Sequence, residues 1–123
     1  TGSWSDLVVE RGTEASVLDP SLLEELAQLM GSQVIGRLLS SFVADVRQRV
    51  PLMEQAAVAD IVQHAHVLIS LAGQLGFLEL SSFCAELEER IRAGEDPADL
   101  HRLPAIAERA LKAAADTPYA RAA

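Results

Sequence analysis

The stretch that decides the fold is residues 60–76, which read DIVQHAHVLISLAGQLG. At about 100° per residue, most of its apolar side chains fall on one broad face of an α-helix, as in a helix that packs against a core. That face carries Ile61, His64, Leu68, Leu71, Ala72 and Leu75. Asp60 is a suitable N-cap, and Gly76 suits the left-handed residue that ends many helices. The pattern therefore predicts an amphipathic helix that begins after Asp60 and ends at Gly76.

The opposite face of this helix is unusual for a surface exposed to solvent. It carries Val62, His66, Ile69, Ser70 and Gly73, which lie within a sector of about 100°. A glycine inside a helix costs about 1 kcal/mol relative to alanine, and close approach of another molecule is one reason to accept that cost. We therefore predict that His66 faces outward on a partner-binding surface, whereas His64 points inward as a core or boundary histidine.

The segments on either side are also helical in pattern. Asp19 and Pro20 form an N-cap and first helical residue, and the helix that follows ends at Gly31. A second helix begins at Ser32, with a kink or break expected at Pro51. Further apolar stripes follow Gly76 and the pair Asp96-Pro97, the last with a second kink at Pro104. We predict an all-α fold, an antiparallel four-helix bundle with a short extra N-terminal helix that caps one end.

The domain organisation follows from the same patterns. Residues 1–16 are polar and lack a clear period, so they predict a flexible N-terminal arm or a tag remnant. Residues 17–115 form the helical bundle, and residues 116–123 predict a frayed tail because they are small and polar.

The composition narrows the class of protein. The chain has 123 residues, half of them hydrophobic, and a formal net charge of −8. Negative charge opposes binding to nucleic acid and to anionic membranes. No apolar run approaches the ~20 residues that span a bilayer, and one cysteine cannot form an internal disulfide. We therefore expect a monomeric cytoplasmic protein that binds neither nucleic acid nor membrane.

Glu88 is the second candidate site residue. The turn between the third and fourth helices is centred near Gly76-Phe77, about ten residues after His66 and eleven before Glu88. Positions equidistant from the turn of an antiparallel hairpin lie level, so Glu88 is placed to accept a hydrogen bond from one imidazole nitrogen of His66. The other nitrogen is then neutral and nucleophilic. The alternative is a solvated glutamate within the acidic run of residues 86–89.

These residues together resemble a known family. Ala65-His66-Val67-Leu68, Gly76, and then Leu80, Cys84, Leu87 and Glu88 are similar to the motif of histidine-containing phosphotransfer (HPt) domains. The resemblance extends over residues 17–115 and implies a four-helix bundle that accepts a phosphoryl group from a receiver-domain aspartate and passes it to another receiver. It implies His66 as the phosphoacceptor, Glu88 as the residue that orients it, and Ser70 and Gly73 as the surface that the partner approaches. The apolar side chains of Val62 and Ile69 widen this predicted partner-binding surface.

The resemblance also implies the partners and cofactors. The partners are response-regulator receiver domains, a hybrid histidine kinase, or both. The chain is then a phosphocarrier, not a turnover enzyme, with no cofactor of its own, and Mg²⁺ lies in the partner receiver. The pattern leaves open whether the chain acts alone or as part of a larger kinase.

Two departures from the family pattern support an alternative function. The lysine usual three positions after the histidine is Ile69 here, and the glycine usual at the fourth position is Ser70. Loss of the ammonium removes a charge that would stabilise a phosphoryl oxygen. The alternative is an HPt-like module that docks a receiver or kinase without efficient phosphotransfer.

Other kinds of site fit less well. His64 and His66 are too close in sequence to share a ligand face on a helix, and His101 is remote, so no metal site is expected. Cys84 falls on the core face, where a thiol is inert. The dimerisation domain of a sensor kinase would carry an acidic residue directly after the histidine, where this chain has Val67.

Overall fold

The computed structural model describes residues 16–121, which are almost entirely helical. The α-helices are α1 (Pro20–Met30), α2 (Ser32–Gln55), α3 (Val58–Leu75), α4 (Leu78–Arg92) and α5 (Leu103–Asp116). Two 3-10 helices, Ala98–Arg102 and Pro118–Arg121, lie before and after α5. The described range holds no β-strand, so the predicted all-α class is confirmed. The predicted N-terminal arm lies outside the described residues except for Ser16.

The helices α2 to α5 form the four-membered bundle. Each packs against the next, and α5 packs back against α2, which closes the ring. Short connections between consecutive helices make neighbours antiparallel, as in other bundles of this type. The core is a single apolar cluster, and no polar or charged residue of the described range is buried in it. At its centre the rings of Phe42 on α2 and Phe77 stack with centroids 4.4 Å apart.

Helix α1 begins where the sequence predicts. The Asp19 side chain accepts hydrogen bonds from the backbone N–H groups of Ser21 and Leu22, at 3.1 and 3.4 Å, and Pro20 is the first helical residue. The Asp19 N–H also donates to the carbonyl of Gly76 at 2.8 Å, and the Glu79 N–H donates to Ser16 at 2.9 Å. The segment before α1 is therefore tied to the turn between α3 and α4.

That turn depends on the conformation of Gly76. Its φ of 88° and ψ of 14° are left-handed, and its N–H closes the last turn of α3. The Phe77 N–H donates to the carbonyl of Ala72 at 2.8 Å, which completes a Schellman-type end. The predicted end of α3 is therefore correct, and the turn fixes how α3 and α4 lie side by side.

We predict that Gly76→Ala destabilises the fold more than Gly94→Ala. Both glycines have a positive φ, 88° and 83°, so both variants carry the strain of a left-handed alanine, about 1 kcal/mol. A Cβ at Gly76 also lies 3.1 Å from the Asp19 carbonyl oxygen, whereas a Cβ at Gly94 meets nothing within 4 Å. Urea unfolding followed by circular dichroism measures the difference, and equal losses of stability would show that the Asp19 contact is not limiting.

Several predicted helix boundaries are wrong. Helix α3 begins at Val58 after Ala57, so Asp60 is not the N-cap and lies in the first turn, where its charge still favours the helix dipole. Helix α2 continues through Pro51 without a break because Val50 and Met53, on either side of it, are buried in the core. Pro104 lies in the first turn of α5, where a missing N–H is tolerated.

The start and the end of the last predicted helix also differ from the prediction. The residues after Pro97 form a 3-10 helix, and α5 starts only at Leu103. The tail predicted to fray from residue 116 continues as the 3-10 helix Pro118–Arg121, which packs beside α2. Tyr119 packs against the edge of the core. This apolar contact holds the segment in place, although its composition is mostly small and polar.

Candidate functional site

The centre of the site is His66, in the middle of α3. Its side chain is 73% exposed, although Ala65 and Leu68 on the same helix are completely buried. Its backbone is therefore fixed by the core while the imidazole stands in solvent. Helical phase therefore predicts the more exposed histidine correctly, since His66 is exposed and His64 is half-buried.

The exposed side of α3 is rotated about the helix axis relative to the predicted partner-binding surface. Ser70 is exposed as predicted, but Val62, Ile69 and Gly73 are half-buried. Ile69 and Gly73 lie beside Ser81 of α4, and Val62 shares their side of α3 by helical phase. The exposed sector of α3 is centred about 40° away from His66, toward Gln63, Ser70 and Gln74.

Gly73 lies beside α4, a neighbour that the sequence did not indicate. A Cβ built there would lie 3.4 Å from Oγ of Ser81 on α4. The same hydroxyl donates a hydrogen bond to the carbonyl of Ile69 at 3.3 Å. Helix α4 of the same chain therefore lies directly beside Gly73, at a distance that would place a Cβ in van der Waals contact with Ser81.

Glu88 lies level with His66, as the distances from the turn predict. Its Oε2 is 3.6 Å from Nδ1 of His66, and its side chain is only 13% exposed. That distance is longer than an ordinary hydrogen bond but within the range of an ion pair. Contacts of catalytic groups are often long before a substrate binds. The structure therefore brings the Glu88 carboxylate beside the exposed imidazole, as the sequence predicts.

Arg92 on α4 joins this pair, a residue that the HPt-like motif does not include. Its Nε and Nη2 both donate to Oε1 of Glu88, at 3.0 and 2.9 Å. The sequence signal was the spacing itself, a glutamate four residues before an arginine on one helix. The described residues thus form a row of three side chains, from the exposed imidazole through the carboxylate to a guanidinium.

His64 is a boundary residue held by α2. It is half-buried, and Nη1 of Arg49 lies 2.9 Å from its Nδ1. Because a guanidinium can only donate, this Nδ1 is the acceptor and the proton of the neutral ring is on Nε2. Nε of Arg49 also donates to Asp45 at 3.2 Å. His64 is therefore engaged on the side of α3 away from Glu88.

Cys84 is a fully buried residue of the core. Its side chain is completely buried, and burial, with a smaller contribution from the charge of Glu88, raises its pKa to about 12. The thiol therefore stays protonated at neutral pH, as its predicted position on the core face requires. Within residues 16–121, no three histidine, cysteine or acidic side chains come together as a metal site. None of the described helices has the length and apolar character needed to span a membrane.

Comparison with known proteins gives one family. The model of the Hpt domain matches residues 37–117, about two thirds of the chain, from the first half of α2 to the residue after α5. The matched range contains His66, Glu88 and Arg92. Neither the curated proteins nor the solved structures gave a match to this chain.

Proposed function

The chain belongs to the Hpt domain family, and we propose on this basis that it is a phosphorelay intermediate with His66 as its phosphoacceptor. Members of the family carry phosphoryl groups on histidine in two-component phosphorelays and interact there with receiver domains and histidine kinases. The finer proposal is that His66 takes the group from a receiver aspartate and passes it to a second receiver. The partners we propose are response-regulator receivers, a hybrid kinase, or both.

The observation that carries this proposal is the pairing of the exposed imidazole with Glu88. With Nδ1 of His66 facing the carboxylate at 3.6 Å, the ring proton is best placed on Nδ1. The lone pair of Nε2, on the other side of the ring, is then free to attack. The N–P bond forms at Nε2 as the O–P bond of the aspartyl phosphate breaks, and the receiver carboxylate leaves.

Among residues 16–121, the surface around His66 has no cleft to enclose a phosphoryl group, so we propose that the partner supplies most of the catalytic groups. The His66 imidazole stands on an open helix surface and not in a cleft, so the chain contributes a positioned nucleophile and little else. We propose that Mg²⁺ and the carboxylates of the receiver stabilise the phosphoryl charge in transfer. The chain then acts as a phosphocarrier without turnover of its own. The monomeric state and cytoplasmic location remain predictions.

Docking without efficient transfer is the second candidate function, and Ile69 favours it. This residue lies one turn after His66 and is half-buried against the core, so it presents no charge to a phosphoryl oxygen. Ser70 beside it is exposed and small, which suits contact with a partner surface. The two candidates share the docking face and differ in whether His66 carries phosphate.

Transfer from labelled receivers separates these functions. We expect the chain to acquire acid-labile label from at least one ³²P-phosphorylated receiver of its own genome, and to return the label to an unphosphorylated receiver. Isothermal titration calorimetry on the same receivers measures binding independently. Binding without label in any pair would support the docking module, and the phosphorelay proposal would then fail.

A further inference from the structure

We propose that Arg92 is a positioning residue for His66, which holds the Glu88 carboxylate toward Nδ1 and offsets its negative charge beside the phosphorylated ring. The proposal rests on the proposed function and adds a residue to the same site. The two oxygens of the Glu88 carboxylate face two different residues. Oε1 of Glu88 accepts both hydrogen bonds from Arg92, and Oε2 faces His66.

The geometry gives Arg92 control over the direction of the carboxylate. Two donors on a single oxygen, at 3.0 and 2.9 Å, restrict rotation of the terminal Glu88 torsion. The carboxylate itself is mostly covered, with 13% of the side chain exposed, while the Arg92 side chain is 65% exposed. Without Arg92 the carboxylate is free to turn Oε2 away from His66, and the preference for a proton on Nδ1 weakens.

The charges require a cation near this carboxylate once His66 is phosphorylated. A phosphoryl group carries a charge of about −1.5 to −2 at pH 7. On His66 it would be bonded to a ring whose Nδ1 lies 3.6 Å from Oε2 of Glu88. Like charges at such distances repel, and a guanidinium bonded to the carboxylate reduces that repulsion.

The neighbouring groups of the described residues do not duplicate this role. Ile69, one turn along α3, is apolar, and Arg49 on α2 is bonded to His64 and Asp45 on the far side of α3. On α4, Arg90 pairs with Asp99 of the 3-10 helix Ala98–Arg102. Arg92 is therefore the described cation that contacts the carboxylate facing His66.

The test compares Arg92→Gln with Arg90→Gln, which makes the same charge change on the same helix. The first readout is the tautomer of the unphosphorylated His66 ring, from its ¹⁵N chemical shifts. The second is the first-order loss of phosphohistidine, followed by NMR of that ring after labelling with phosphoramidate. In that labelling, Nε2 bonds to phosphorus as the P–N bond of the donor breaks and ammonia leaves.

We expect Arg92→Gln to lower the fraction of Nδ1–H tautomer and to speed the loss of phosphohistidine about fivefold, the size of effect of one favourable exposed ion pair. Arg90→Gln should match the wild type, and Arg92→Lys should restore part of the effect because it keeps the charge but not the paired donors. In a Glu88→Gln background, Arg92→Gln should change the tautomer no further, since both act through one carboxylate.

The failure of this proposal is distinguishable from the failure of the proposed function. Equal tautomer populations and equal phosphohistidine lifetimes in Arg92→Gln and Arg90→Gln would overturn the role of Arg92 while transfer to His66 stands. If the wild type never carries phosphate from phosphoramidate or from any receiver, the phosphorelay function fails. The tautomer comparison alone then decides whether Arg92 positions His66 through Glu88.

Discussion

His66→Gln should abolish acid-labile phosphorylation of the chain by a cognate receiver. The glutamine side chain keeps the length and polarity of the position but has no imidazole nitrogen to attack phosphorus. Because the His66 side chain is exposed, the substitution should leave the fold and the docking face unchanged. We therefore expect complete loss of label with little change in receiver affinity, measured by transfer from ³²P-labelled receiver and by calorimetry.

The other two histidines of the chain supply matched controls. His64 is half-buried with Nδ1 occupied by Arg49, so His64→Gln should keep its label. His101 is a stricter control because it is exposed and its Nδ1 donates to the carbonyl of Ala98 at 2.9 Å, which also leaves Nε2 free. Label that persists in His66→Gln and vanishes in His101→Gln would move the phosphoacceptor to the second exposed histidine and disprove the assignment.

Phe42→Ala should produce the largest loss of stability. The Phe42 ring is completely buried and stacks on Phe77 at an interplanar angle of 17°. Removing a buried phenyl ring costs about 3–5 kcal/mol, the transfer energy of the ring plus that of the cavity left behind. For a domain of this size the loss corresponds to a fall in Tm of about 12–20 °C. Because Phe77 directly follows the turn that sets α3 beside α4, the cavity also loosens the support of the His66–Glu88 pair.

Calorimetric melting and urea unfolding measure this effect. Leu29→Ala is the matched control, since that side chain is 82% exposed and its truncation should change stability by no more than about 0.5 kcal/mol. Similar losses in Phe42→Ala and Leu29→Ala would contradict the placement of Phe42 at the centre of the core.

The sequence predicts the fold well where a helix end depends on hydrogen bonds or backbone angles within a few residues. Asp19 with Pro20, and Gly76 with its left-handed backbone, mark helix ends through chemistry that operates within a few residues. The errors lie where distant packing decides. Pro51 is accepted inside α2 because residues on both sides are buried, and Tyr119 is held by the core of a bundle that its own segment does not reveal.

The candidate site shows the same limit. Helical phase places His66 outside and His64 inside because both lie on one rigid element, and counting from Gly76 places Glu88 level with His66. The side of α3 covered by α4 does not follow from the phase of α3 alone. Val62, Ile69 and Gly73 were therefore predicted to be more open than they are. Arg49 could not be paired with His64 from the sequence, since that requires the rotation of α2 about its own axis.

The fixed backbone beneath His66 has a kinetic consequence for the proposed transfer. With Ala65 and Leu68 held in the core and the His66 side chain exposed, no loop or helix among residues 16–121 has to move before the imidazole meets a receiver. A productive encounter then depends on diffusion and on the mutual orientation of two rigid surfaces. The association rate of such a pair responds to ionic strength, because a chain with a net charge of −8 attracts or repels its partner before contact. Discrimination among receivers would then begin during the approach, ahead of any chemistry at Nε2.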